Sequence, residues 1–295
     1  MDMYCSKGSQ KIRKIVIVFT DVYGMRSGNH QTFADTLQLA LGEDVGVLVP
    51  DTFRGCPPMQ PFLFLPDRLG SMIGVWGMLW RMRGYTRESM IEGTLMKQVI
   101  PHVKELYGAD VELGGVGTCA SVARVKRSES EAKRECSPPS STPVHCRRGH
   151  APDKRLSSLP PPNLLLRPFT HRRTSLTGFC MGGWVVGQLA REPKLFKWGV
   201  GIHPSFNFEM MHGGTEVGLA AKIVEPVLLL PAGNDSAAMK VGGAAIQALS
   251  KQLGVPEQEV SKEYAGMTHG WVSRGDSNVD LIREQQKSAV DDIVR

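Results

Sequence analysis

The chain has 295 residues, 41% of them apolar and 22% charged, enough for one large α/β domain or two small ones. No apolar run approaches the roughly 18 residues of a membrane span, and the polar, basic start "MDMYCSKGSQKIRK" lacks an apolar signal core, so no membrane contact and a cytoplasmic location are expected. The net charge of +6 is unevenly held: residues 118–177 carry 12 Lys/Arg against 4 Asp/Glu, and the remainder is slightly acidic, which argues against a general nucleic-acid or anionic-membrane binder.

In chain order, "KIVIVFTDVYG" (14–24) is a β-branched apolar run closed by a turn, a buried strand. "QTFADTLQLALGEDV" (31–45) spaces Phe33, Leu37, Leu39, Ala40 and Leu41 as a helix ending at Gly42. "VGVLVPDTFRG" (45–55) is a second strand, stopped at Pro50 and Asp51. Strand, helix and strand in this order form a βαβ unit, which implies parallel pairing and a right-handed crossover. The Met- and Trp-rich stretch 66–85 predicts short helices at the edge of a site, and 87–110 predicts a long amphipathic helix kinked at Pro101. Farther on, "GWVVGQLARE" reads as a helix, "KWGVGIHP" and "PVLLLPAGND" as strands, and "AAIQALSKQLG" as a helix. "VSKEYAGMTHG" starts as a strand and turns at Gly266, and "VDLIREQQKSAVDDIVR" is a helix. The alternation predicts a mostly parallel, doubly wound sheet flanked by helices, a single α/β domain over 1–295.

Residues 118–177 break the pattern. They have no sustained period and hold 8 of the 19 prolines with many Ser and Arg, the composition of disorder or a solvated loop. Such a loop is uncommon inside a compact domain. The stretch before Gly178, "THRRTSLT", is a poor buried strand, whereas "ADVELGGVG" (109–117) is a good one. Removing 118–178 yields "VELGGVGFCMGGW", a continuous strand, turn and helix. The segment therefore reads as an insertion at this junction, in the form of a retained intron, with a regulatory loop as the alternative.

Three residues stand where candidate strands end: Cys180 in "GFCMGGW", Asp235 in "PVLLLPAGND" and His269 in "GMTHGW". In open parallel sheets the C-terminal strand edge gathers ligands and catalytic groups. Nucleophile, acid and histidine in this order are the α/β-hydrolase order, with Cys in place of Ser at the elbow. Such an elbow holds its nucleophile at a strained φ/ψ, and strand and helix meet closely only beside small residues. Gly178, Gly182 and Gly183 meet that demand.

The stretches "VIVFTDVYG", "VLVPDTFRG", "GFCMGGW", "GIHPS", "PVLLLPAGND" and "MTHGWVSRGD" resemble the dienelactone hydrolase family, within the α/β-hydrolase superfamily. The resemblance implies a carboxylic ester hydrolase with Cys180 as nucleophile, Asp235 as acid and His269 as base. It implies an acidic residue near the resting nucleophile at Asp21, and oxyanion-hole N–H groups at Val22 and Met181. The family's carboxylate-binding arginines match no position here, although Arg274, Arg81 and Arg83 lie in relevant stretches. The implied substrate is a small ester or lactone, with no cofactor, no metal, no nucleic acid and no obligate protein partner. A thiol ordinarily ionises near pH 8.5, about the unperturbed cysteine value, so thiolate leaves a tetrahedral intermediate more readily than an alkoxide does. Simple alkyl esters should therefore revert, while enol esters, lactones and thioesters go forward.

Other residues invite plainer readings. His203 in "IHPS" reads as a strand-end histidine bonded to backbone, and Trp76 and Trp80 as core. Cys119 imitates an elbow but lacks the glycine two residues on. Cys119, Cys136, Cys146, His145 and His150 match no familiar zinc spacing. Cys5 and Cys56 carry no evident role, and the six cysteines do not form a secreted disulfide framework. The rival functions are a non-enzymatic small-molecule binder on the same scaffold, and a basic interaction module built on 118–177. The first would not need all of Cys180, Asp235 and His269. The second lacks aromatics interleaved with its arginines.

Overall fold

The structure, a computed structural model, describes residues 2–6, 12–55, 57–58, 83–107, 175–193 and 195–295. Val and Ile dominate the first two long strands, β2 (Lys14–Phe19) and β3 (Val45–Pro50), because branched side chains suit a pleat buried on both faces. Both pair in parallel, with Val16 opposite Val47. Between them runs α1 (His30–Leu41), with Gly42 as its C-cap at φ 104°. The sheet continues with β4 (Ser175–Phe179), β5 (Trp198–Ile202) and β6 (Val227–Leu230), all parallel. The short β1 (Met3–Cys5) adds an antiparallel edge on β3. The six strands lie in the order β1-β3-β2-β4-β5-β6.

This order reverses direction between β2 and β4. One crossover leads from β2 outward to β3, and the later strands build the other way. The crevice at such a reversal lies outside the C-terminal strand ends and is where open α/β sheets place ligands. Cys180 follows the end of β4 directly, and Asp21 follows the end of β2 after Thr20. The expectation of an α/β, doubly wound, mostly parallel sheet flanked by helices is met, with β1 making the sheet mixed.

Alternation along the strands divides the core into two layers. Ile15, Ile17 and Phe19 of β2 join Leu48, Leu176 and the helix α3 (Met181–Leu189) on one side. Val16 and Val18 join Val45, Val47 and Val49, the α1 residues Phe33, Ala34 and Leu37, and the final helix α8 (Asp280–Val294) on the other. On the first side stand α2 (Ile100–Tyr107) and α5 (Ala244–Leu253), through Val103, Ile246 and Leu249. The short helices α4 (Glu216–Ala220), α6 (Glu257–Val260) and α7 (Trp271–Arg274) complete the described set.

Several elements depart from the expected ones. The long helix beginning at 87 is two pieces: wide, π-type turns over Glu88–Val99, then α2. The change falls one residue before Pro101. A proline offers no N–H to the carbonyl four residues back and its ring presses on that carbonyl, so the wider turn relieves the clash. The stretch after α6 makes only isolated bridges, Ser261 to Leu229 and Ala232 to Tyr264, instead of a full strand. The edge strand β1 lies in polar surroundings that do not predict it. It forms because Met3 and Cys5 pack on the core while their backbone pairs with Pro50 and Leu48.

The strand that enters the Cys180 turn is β4, residues of the polar stretch that the sequence disfavours. Ser175 and Thr177 are fully buried in it, and their hydroxyls find no partner among the described residues. The alternative feeder 109–117 lies outside the described residues. So do 118–174, Cys56, Trp76, Trp80, Arg81 and all five members of the Cys and His set considered for zinc. Among the described residues, no helix is long and apolar enough to cross a membrane.

Candidate active site

Cys180 sits between β4 and α3 with φ 55° and ψ −114°, a positive-φ conformation that non-glycine residues rarely adopt. The turn is possible because the chain passes itself at backbone distance. A Cβ on Gly178 would stand 2.1 Å from the Gly182 carbonyl oxygen, and one on Gly182 would stand 2.4 Å from the Phe19 carbonyl oxygen. Both glycines are needed for contact, independently of flexibility. The turn is pinned by the Cys180 N–H, which donates to the Ile202 carbonyl at 3.2 Å, and by the Cys180 carbonyl, which accepts from Gly183 N–H at 3.0 Å. The N–H groups of Met181 and Val22 have no backbone acceptor among the described residues.

Asp235 lies in the turn after β6, and its Oδ2 accepts from the Ala232 N–H at 2.7 Å. Its Oδ1 stands 2.5 Å from His269 Nδ1. The loop that carries His269 is held to the same turn: the His269 N–H donates to Asn234 Oδ1 at 2.6 Å. The Cys180 side chain lies near enough to the imidazole to act on its charge. The structure thus seats His269, from a loop, on Asp235 after β6, with Cys180 after β4 acting on the same imidazole. Burial works hardest of any influence against charge on His269. The hydrogen bonds and negative charges of Asp235 and Cys180 together overcome it and raise the imidazole to about 10.

Asp21 is wholly buried at the end of β2. Its Oδ1 accepts from Tyr23 N–H at 3.0 Å, its Oδ2 accepts from Ser273 Oγ at 3.0 Å, and Arg274 Nε stands 3.4 Å from Oδ2. The Arg274 guanidinium also lies over the Tyr23 ring, 4.6 Å from its centre. His30 approaches from α1, but as a neutral ring. Its Nε2 accepts from the Asp21 N–H at 3.4 Å, while Nδ1 faces the Ser27 carbonyl at 2.5 Å. Burial, the largest influence, lowers its affinity for a proton.

His203 behaves differently from the expected backbone-bonded histidine. It is fully buried with φ 37°, and apart from its own backbone no described residue bonds its ring. The ring meets His269 edge-on, with centroids 4.8 Å apart. Burial and the neighbouring charges of His269 and Arg274 push it well below the usual histidine range, so it is neutral.

Three contributors escape a reading of the sequence alone. Ser205 Oγ donates to Cys180 Sγ at 3.3 Å, Asn234 positions the His269 loop, and Ser273 engages Asp21. Their common signal is position: each lies within a few residues of a strand end or of His269. A cleft of about 460 Å³ opens beside His269, bordered by Thr268, Trp271, Arg274, Val279 and Leu281. A separate apolar hollow at Trp198, Val227 and Ile293 is reached by none of Cys180, Asp235 and His269. Among the described residues no group of His, Cys, Asp and Glu could hold a metal ion.

Residues 164–294 match the dienelactone hydrolase family, so the match spans Cys180, Asp235 and His269, and the hydrolase resemblance read from the sequence stands on it. No curated protein matches the chain. Solved structures are loosely similar. A candidate dienelactone hydrolase from Klebsiella pneumoniae subsp. pneumoniae is 13% identical with a TM-score of 0.41, over 98% of this chain and 91% of that one. Est1E from Butyrivibrio proteoclasticus is 12% identical with a TM-score of 0.43, over 99% and 94%.

Proposed function

We propose that this chain, whose residues 164–294 match the dienelactone hydrolase family, hydrolyses a small ester or lactone through Cys180, His269 and Asp235 by way of a thioester. The observation that carries the proposal is the pairing of Asp235 Oδ1 with His269 Nδ1 at 2.5 Å, beside a Cys180 held at positive φ in the turn between β4 and α3. Asp235 fixes the ring's tautomer and balances its charge. With the imidazole raised to about 10, its protonated form is favoured at ordinary pH, and that ring stands ready to protonate the leaving oxygen.

The thiolate attacks the carbonyl carbon, and the carbonyl electron pair moves to oxygen. The backbone N–H groups of Met181, at the start of α3, and Val22, after β2, are suited to receive that oxyanion. Collapse expels the alcohol or enol oxygen, which takes a proton from His269. A water molecule, losing its proton to the now neutral imidazole, attacks the thioester and releases the acid, and the electron pair of the S–C bond returns to sulfur. Asp21 supports this edge of the site by holding Arg274 and Ser273 against the end of β2. Because thiolate is the better leaving group against an alkoxide, productive substrates are those whose own leaving oxygen is stabilised.

The deciding experiment is hydrolysis of an aryl ester by the purified chain and by Cys180→Ala. Loss of at least roughly a thousandfold in kcat/KM with unchanged circular dichroism is expected, within the range seen when a nucleophile acting within a unit is removed. Retained activity in a folded alanine variant would remove Cys180 from the mechanism.

A further inference from the structure

Ser205 follows β5, the strand beside the one that delivers Cys180. Its Oγ donates a hydrogen bond to Cys180 Sγ at 3.3 Å. The hydroxyl is placed by the turn itself, since the Ser205 N–H donates to the Cys180 carbonyl at 2.9 Å. Pro204 braces the segment against α3: a Cβ on Gly183 would stand 2.7 Å from the Pro204 ring. The hydroxyl therefore has a fixed route to one sulfur.

We infer that Ser205 is a further catalytic residue, a hydroxyl donor that stabilises negative sulfur in the resting enzyme and again whenever sulfur is expelled. The inference rests on Cys180 being the nucleophile. Attack moves an electron pair from sulfur into the new S–C bond. Sulfur becomes uncharged and a weak acceptor, so the bond from Ser205 loosens on acylation. Hydrolysis returns the pair to sulfur and restores it. No proton leaves Ser205 at any step.

This role has two opposing consequences. A hydrogen bond to a charged acceptor is stronger than one to a neutral acceptor, so Ser205 increases the ionised fraction of the sulfur. The same bond makes each ionised sulfur less nucleophilic, since thiolate reactivity falls as the thiolate's proton affinity falls, with a slope of about 0.4–0.5. Removing the hydroxyl must then slow the sulfur at low pH and quicken it at high pH. A residue that merely filled space would do neither.

The test is thiol–disulfide exchange with 2,2′-dithiodipyridine on the full chain, followed across pH. Cys180→Ala serves as the blank for the remaining cysteines. Ser205→Ala is expected to react about threefold more slowly than the unaltered chain at low pH, where an about tenfold loss of ionised sulfur, from a missing charge-assisted bond, outweighs the gain in reactivity of each thiolate. At high pH it should react about threefold faster, from the slope above. Ser205→Gly should repeat this crossing, and Ser205→Thr, which keeps a hydroxyl, should track the unaltered chain. Superimposed profiles, or a uniform slowing at every pH, overturn the role of Ser205 while leaving Cys180 reactive. A full chain that exchanges no faster than Cys180→Ala overturns the nucleophile assignment, and the role of Ser205 with it.

Discussion

Ser273 Oγ donates to Asp21 Oδ2 at 3.0 Å and so ties the end of β2 to the helix that follows His269. Both residues are fully buried, although they lie far apart in the chain. Asp21→Asn removes the charge that Ser273, Tyr23 and Arg274 all address. A loss of about 2 kcal/mol of stability is expected, the scale of hydrogen bonds to a charged group. In a Ser273→Ala background the same change should cost less, because one of the bonds is already gone. Denaturant midpoints of the four proteins measure this, and equal costs in both backgrounds would show that the hydroxyl contributes nothing to Asp21.

The pH dependence follows from His269. Its folded value, about 10, lies above the ordinary histidine value of 6.5. The sign is therefore that of a raised base: the charged form and the stability it brings are fully present below about 6.5, and are lost as pH rises through about 10. Hydrolysis should hold through neutrality and decline on the alkaline side as the imidazolium is lost. Asp235→Asn takes away a carboxylate that favours the charged ring, so the alkaline decline should move to lower pH. A decline that stays in place in Asp235→Asn would mean that another group controls it.

Close approach at the Cys180 turn makes a sharp demand on two glycines. Gly178→Ala would drive a methyl group to within 2.1 Å of the Gly182 carbonyl oxygen. The backbone would have to move, at a cost of about 3 kcal/mol or more. Gly42→Ala is the control for a helix end, since the nearest atom there is an Asp44 side-chain oxygen at 3.8 Å. It should cost only the strain of its positive φ, roughly 1 kcal/mol, as judged by thermal unfolding.

Leaving-group quality should govern the substrate range. Aryl esters and enol lactones are expected to turn over at least roughly a hundredfold faster than alkyl esters of similar size, about 3 kcal/mol in barrier difference. Steady-state rates on matched pairs measure it. Equal rates would show that the sulfur is not the group expelled in competition.

Residues 118–178 supply the last prediction. Reading them as an insertion, their removal joins Gly117 to Phe179 and places Val116 where Thr177 now stands. The two buried hydroxyls of β4 that lack partners, Ser175 and Thr177, would be replaced by Gly114 and Val116. Each such hydroxyl costs roughly 1–3 kcal/mol. The shortened chain is expected to be soluble, at least as stable as the full chain, and active on an aryl ester. An unfolded deletion beside an active full-length protein would refute the insertion and make the segment part of the working fold.

The sequence by itself determined the α/β alternation, the glycines around Cys180 and the order of Cys180, Asp235 and His269. Those features are local: apolar runs mark strands, periodicity marks helices, and Cys180 and Asp235 each follow their own strand. Only the tertiary structure decided which groups meet. Ser205 reaches Cys180 Sγ because β5 is laid beside β4, and Ser273 reaches Asp21 because the chain after His269 folds back over the end of β2. His203 is stripped of partners by the burial that also sets it against His269. Strand order and the charge on a buried imidazole depend on neighbours distant in the chain, and hydrophobic periodicity carries no record of them.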